Sequence, residues 1–161
     1  MTDELELRRV LGHFATGVSV VTIAVAGEAH GLTVNSLTSL SLSPPQVIVC
    51  LKRENRSYAA FERATHFAVN VLADDQVDLA RLFASTRDGK FADVTHTPGG
   101  ASGAPLLARA HAWLECELSQ RLVVPGTHTI VIGRLLHYSF GGVPPLVFHG
   151  GRYHRLGEAL S

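Results

Sequence analysis

The sequence predicts a mainly β fold: an antiparallel barrel with a few short helices outside it. Three observations carry this. Short β-branched runs recur between turn signals. Residues 146–149 and 152–155 flank Gly150-Gly151, a pairing that marks a two-residue hairpin. Helical periodicity appears only in short, isolated stretches, without the βαβαβ rhythm of a parallel sheet.

Taken in order, residues 4–14 read as a helix, because Leu7, Val10, Leu11 and Phe14 follow i, i+3, i+4, i+7 spacing. Thr2 or Asp3 caps it, and Gly17 follows as a stop. Residues 18–26 are β-branched and read as a strand, turning through Ala26-Gly27-Glu28-Ala29 into a returning strand over 30–34. Residues 47–51 form a buried strand after the Pro44-Pro45 breaker. Residues 57–64 read as a short helix capped by Ser57, 66–71 as a strand, and 74–83 as a helix with Asp74, Asp75 and Asp78 at its start. Residues 84–105 hold four glycines and two prolines and read as a long loop. A long strand or a bent pair covers 110–124. A strand with a bulge at Gly133 covers 127–136. The hairpin strands are 146–149 and 152–155.

One domain over 1–161 accounts for the length. Apolar residues are 46% and charged residues only 17%, against a usual charged share of about 25%. That excludes intrinsic disorder and points to a surface shared with another subunit. Fourteen basic residues balance fourteen acidic ones, so no general field for nucleic acid or an acidic membrane exists. Two cysteines, Cys50 and Cys116, are too few for a stapled secreted scaffold, and Cys50 in its apolar run reads as a buried structural thiol. The N-terminus starts acidic and lacks a signal-peptide core, and no run reaches the roughly 18 apolar residues of a membrane span. A cytoplasmic protein is the expectation.

Three segments carry chemical content. Residues 33–43 hold six hydroxyls and one amide, either donors for phosphate or carbonyl oxygens or simply a strand edge and turn. Lys52, Arg53 and Arg56 cluster at the end of a buried strand and just before a helix, where an anion would meet side-chain charge and helix amides together; a solvated loop is the alternative. His128 stands at the entry to an apolar strand, as a ligand contact or as a structural residue. Other chemistries are set aside. There is no Gly-x-Ser-x-Gly elbow, Walker loop or Gly-x-Gly-x-x-Gly, no metal-ligand spacing among the nine His, and no acid/base dyad.

The run from Thr16-Gly17-Val18 through Gly31-Leu32-Thr33-Val34-Asn35-Ser36 to Ser39-Leu40-Ser41-Leu42-Ser43-Pro44-Pro45 resembles the flavin reductase-like family of FMN-binding split barrels. More narrowly, it is similar to the reductase components of two-component flavin-dependent monooxygenases. Later segments agree: Phe67-Ala68-Val69-Asn70-Val71-Leu72, Lys90-Phe91, residues 126–133, Pro145-Leu146 and Gly151-Arg152-Tyr153. The likeness covers about residues 7–156.

The resemblance implies a homodimer of Greek-key split barrels with a flavin, FMN or FAD, near the subunit contact. NADH or NADPH is the implied co-substrate, and a separate monooxygenase the partner. Carried over by position, Thr33, Val34, Asn35, Ser36 and Ser39 wall the flavin ring and ribityl chain, and Ser41 belongs to that wall or to the phosphate end. Cys50, Leu51, Lys52, Arg53 and Ser57 match a second flavin-contacting segment with its cations near phosphate. Phe83 and Phe91 resemble aromatic positions around the flavin. His128 matches the His of the family's Gly-Asp-His motif on the nicotinamide side, and Tyr153 a pyridine-nucleotide contact. Thr127 stands where Asp is frequent, Leu37 where Phe is, and Ser43 where Asp is. No catalytic acid, base or metal is implied. The alternatives are a split barrel that keeps its flavin and acts directly on a small molecule, a non-catalytic flavin carrier, and a ligand-binding barrel without flavin.

Overall fold

A computed structural model describes residues 3–160. The central feature is a seven-stranded, wholly antiparallel sheet. In chain order its strands are β2 (Ser19–Val25), β3 (Glu28–Val34), β4 (Thr38–Leu42), β5 (Pro45–Lys52), β6 (His66–Val71), β9 (Ala112–Val123) and β10 (His128–Phe140). Their spatial order is β3-β2-β6-β9-β10-β5-β4. The sheet curls around an apolar core built from Val21, Ile23, Leu32, Val49, Leu51, Phe67, Val69, Cys116 and Val131. Where β3 ends, a side chain closes the gap to β5: the Ser36 hydroxyl accepts from Cys50 N at 2.9 Å and donates to Cys50 O at 3.3 Å.

Two smaller sheets flank it. β1 (Thr16–Gly17) pairs with β11 (Leu146–His149), which pairs with β12 (Arg152–Arg155) across the Gly150-Gly151 turn. β7 (His96–Pro98) pairs with β8 (Pro105–Leu107). Helix α3 (Val77–Ala84) lies against β3 and β2 and seals a second core of Val18, Val20, Leu72, Ala80, Phe83, Leu107 and Leu146. The bulge expected at Gly133 is present as a register shift between Ile132 and Gly133. A Cβ there would sit 2.7 Å from Phe67 Cε1 and 2.9 Å from Cys116 Cβ, so only glycine lets the core close.

Several elements differ from the sequence reading. Helix α1 (Glu4–Gly12) stops before Phe14, and Gly17 belongs to β1 rather than to a helix stop. Asp3 caps α1, its Oδ1 accepting from Leu5 N at 2.9 Å, whereas Thr2 lies outside the described residues. The apolar stripe of α1 is unburied within one chain, and Phe14 just after the helix is 78% exposed. Residues 38–42, read above as part of a strand edge and turn, form the edge strand β4 and pair on β5. Helix α2 (Tyr58–Phe61) is a single turn, and Ser57 makes no side-chain cap because its hydroxyl donates to Gly31 O instead. Helix α3 begins three residues late, because Asp74 and Asp75 pair with Arg155 and Arg109 rather than charging the helix start. The 84–105 loop contains β7, residues 112–123 form one unbroken strand, and β10 runs on to Phe140. Among the described residues no helix is long and apolar enough to cross a membrane.

Candidate functional site

Three chain segments meet at one end of the main sheet. The 35–37 segment leaves β3, β5 ends at Lys52, and β10 begins at His128, which pairs in register with Lys52. Strand alternation sorts the residues of β5. Cys50 and Lys52 face a cleft of about 210 Å³, together with Thr33, Val34, Asn35, Ser36, Asn55 and His128. Leu51, between them, is 1% exposed and belongs to the barrel core, so its side chain lines no cleft. Thr33, Val34 and Asn35 also wall an adjoining pocket of about 230 Å³, closed by Phe148 and Tyr153. On the other side Asn35, Ser36 and Cys50 border a broad apolar cleft of about 690 Å³ beneath Leu11 and Phe14. Cys50 is therefore a half-buried cleft residue and not the buried thiol its apolar run implied.

The hydroxyls expected as ligand donors are mostly engaged by the protein. Thr33 Oγ1 donates to Ala80 O at 2.7 Å, Ser36 to Cys50 O, and Ser57 to Gly31 O at 3.3 Å. Ser41 Oγ accepts from Ser43 N at 3.1 Å; it and Ser39 stand on β4, away from these clefts. The groups left free among the described residues include the Asn35 amide and the backbone N–H groups of Asn35, Ser36 and Leu37.

Four further residues complete the picture. Lys52 Nζ pairs with Glu54 at 2.9 Å, and this hydrogen bond and charge hold the Glu54 carboxyl below its ordinary range. Arg53 is turned away from the cleft, its guanidinium bound to carbonyl groups of the 124–128 turn. His128 is exposed at the mouth, and its Nδ1 meets Thr127 Oγ1 at 2.8 Å. Thr127 thus supplies the ring partner that a carboxylate would otherwise give, and Nε2 has no partner among the described residues. Phe83 is fully buried and cannot touch a ligand. It backs Phe91 edge-to-face at 5.0 Å and fills the space beside Gly31, where a Cβ would sit 2.8 Å from its ring.

Phe91 and Ser57 line a separate recess of about 460 Å³ with Arg56, Arg87 and Lys90. Lys90 Nζ donates to Phe83 O at 3.1 Å, and burial pushes its ammonium below the usual lysine range. Sequence reasoning missed Asn55, Ala84 and Phe148 as lining residues, and Arg81, whose guanidinium lies 5.8 Å over the Tyr153 ring. Only Asn55 had a usable signal, an Asn-x-Ser turn inside the basic segment; its Oδ1 accepts from Ser57 N at 2.9 Å.

Residues 11–157 match the model of the flavin reductase like domain. The chain belongs to that family. It is 40% identical over 153 residues to the reductase component of a 4-nitrophenol 4-monooxygenase/4-nitrocatechol 2-monooxygenase from Rhodococcus opacus, covering 94% of this chain and 80% of that one. It is 40% identical over 163 residues to a probable flavin reductase from Rhizobium meliloti, of which it spans about half: 99% of this chain and 52% of the relative. Among solved structures, the NADH:FAD oxidoreductase SgcE6 of Streptomyces globisporus C-1027, in complex with NAD and FAD fragments, superposes with a TM-score of 0.92 at 38% identity. That match covers 99% of this chain and 96% of the other.

Proposed function

We propose that this chain is an NADH-dependent flavin reductase that supplies reduced FMN or FAD to a separate monooxygenase. The observation that carries the reading is the cleft at the strand ends. There the free Asn35 amide and successive unpaired backbone N–H groups face His128 across a floor of Thr33 and Cys50. This donor set fits a flat ring rich in hydrogen-bond acceptors, and the apolar Val34, Ala84 and Phe148 suit its faces. These residues would hold a flavin, which when bound would supply hydride-acceptor chemistry toward reduced nicotinamide.

The residues of the chain bind and orient. The 35–37 amides and Asn35 donate to the ring edge where negative charge gathers, without a proton-transfer group of their own. His128, exposed at the mouth, would hold the nicotinamide against the ring. Phe148 and Tyr153 exclude water from one side. Ser57, Arg56, Arg87 and Lys90 surround the recess that takes phosphate, with Lys52 at the cleft mouth. Ser39 and Ser41, on the exposed β4 edge, contact flavin only where a second copy closes over them.

Purified protein should oxidise NADH rapidly only when FMN or FAD is added. Flavin binding without turnover would favour the carrier, and turnover of tightly held flavin without exchange the direct oxidoreductase. The unit is a single cytoplasmic domain, working as a homodimer through the exposed Val10 and Leu11 of α1 and Phe14 just beyond it. Sedimentation as a monomer at micromolar concentration would remove the dimer and the closing role of β4 together.

A further inference from the structure

We propose that Arg53 is a positioning residue for the nicotinamide. It holds the 124–128 turn, and through that turn His128, at the mouth of the cleft. The inference rests on the reading of His128 given above.

One residue satisfies four successive or near-successive carbonyls. Arg53 N donates to Thr127 O at 2.9 Å, adding a rung beyond the end of the β5–β10 ladder. Nη1 donates to His128 O at 2.6 Å and Val124 O at 3.3 Å, and Nη2 donates to Gly126 O. The turn has little else to hold it. Pro125 has no N–H, Gly126 sits at φ 112°, and among the described residues no backbone hydrogen bond closes inside 124–127. Residues 124–127 are exposed, so packing does not fix them either. The constraint then passes to the ring, because Thr127 Oγ1 meets His128 Nδ1.

The fork geometry is what the task needs. A planar guanidinium spreads its donors over several acceptors at once, whereas an ammonium is a point donor. The neighbouring Lys52, on the opposite face of the strand, pairs with Glu54 and touches none of these carbonyls. Two adjacent cations in the sequence thus have different roles: Arg53 serves the turn, and Lys52 faces the cleft.

The test compares R53A, R53K, H128A and the double variant R53A/H128A in the full chain. The readouts are KM and kcat for NADH, Kd for FMN and riboflavin by fluorescence, and thermal melting. R53A should raise KM for NADH about three- to tenfold, with a smaller change in kcat and flavin Kd values within about twofold. R53K should fall between it and the parent. The double variant should be no worse than H128A, because Arg53 acts through His128. Additive losses in the double variant would overturn the proposal. So would a weakening confined to FMN, which would make Arg53 a phosphate ligand, or a lower melting temperature with unchanged KM. If R53A does not fold, R53K carries the same comparison. H128A with unchanged kinetics would remove the nicotinamide role of His128 itself. A kinetic effect of H128A that R53A and R53K fail to reproduce would remove only Arg53.

Discussion

The 99–104 loop and the 124–128 turn are both irregular, both contain glycine, and each is tied down by one charged side chain from a neighbouring segment. Glu115 of β9 serves the first: its Oε2 accepts from Ala101 N at 2.9 Å, Ser102 N at 2.7 Å and Ser102 Oγ at 2.8 Å. Arg53 serves the second with the opposite polarity, donating to carbonyls. The difference lies in solvent. Glu115 is 2% exposed, so its removal opens a gap in the interior and takes from Ala101 N–H and Ser102 the charged acceptor they share. Arg53 is half-buried at a rim, and the carbonyls it leaves would turn to water. The same device therefore stabilises the fold in one place and sets a geometry in the other.

The largest expected effect breaks the buried member of this pair. Glu115→Ala should lower the unfolding free energy by about 3 kcal/mol in urea titration, while turnover per folded molecule stays near the parent value. Loss of turnover without loss of stability would show that the 99–104 loop belongs to the site. Next comes Gly99→Ala. Its Cβ would overlap Glu115 Oε2 and lie 2.7 Å from Cδ, so about 2 kcal/mol should be lost. Because both changes act on one contact, the double variant should lose less than the sum, and a double-mutant cycle checks this.

A pH titration sharpens the contrast. Burial raises the Glu115 carboxyl, but the Ser102 and Ala101 donors outweigh it and hold the group below the ordinary value of 4.5. Its contribution is therefore complete above that value and lost as pH falls through the lower folded one. Glu115→Gln should flatten the acid limb of a stability–pH curve, and Arg53→Lys should leave that limb unchanged. Lys52→Ala should give the smallest effect: FMN binding weaker by about fivefold or less, with riboflavin, which has no phosphate, unchanged. Equal weakening of both flavins would show that Lys52 does not face phosphate.

Much of the barrel was legible because local signals and packing agreed. The Gly150-Gly151 turn, the Gly133 bulge and the buried run at 47–51 each have one comfortable conformation. The errors fall where a polar side chain had to choose a distant partner. Asp74 and Asp75 looked like helix-start charges until Arg155 and Arg109 claimed them. Thr33, Ser36 and Ser57 looked like free donors, yet each closes a backbone contact. Arg53 and Lys52 are alike in sequence, and only the fold shows that one meets carbonyls and the other the cleft. Glu115 gave no signal at all. In an alternating strand a glutamate reads as solvent-facing, and nothing local announces a loop 13 residues earlier that needs its charge.

The two thiols differ as chemical handles. Burial, with the Glu115 charge adding to it, pushes the Cys116 thiol up to about 12, and it lies sealed under Phe67 and Gly133. Cys50 opens onto the cleft wall. The folded chain should accordingly consume one equivalent of a maleimide quickly and a second only on denaturation. A fluorophore would then attach at the cleft without any mutation. Bound nucleotide or flavin should slow that labelling, which turns a native side chain into a reporter of occupancy.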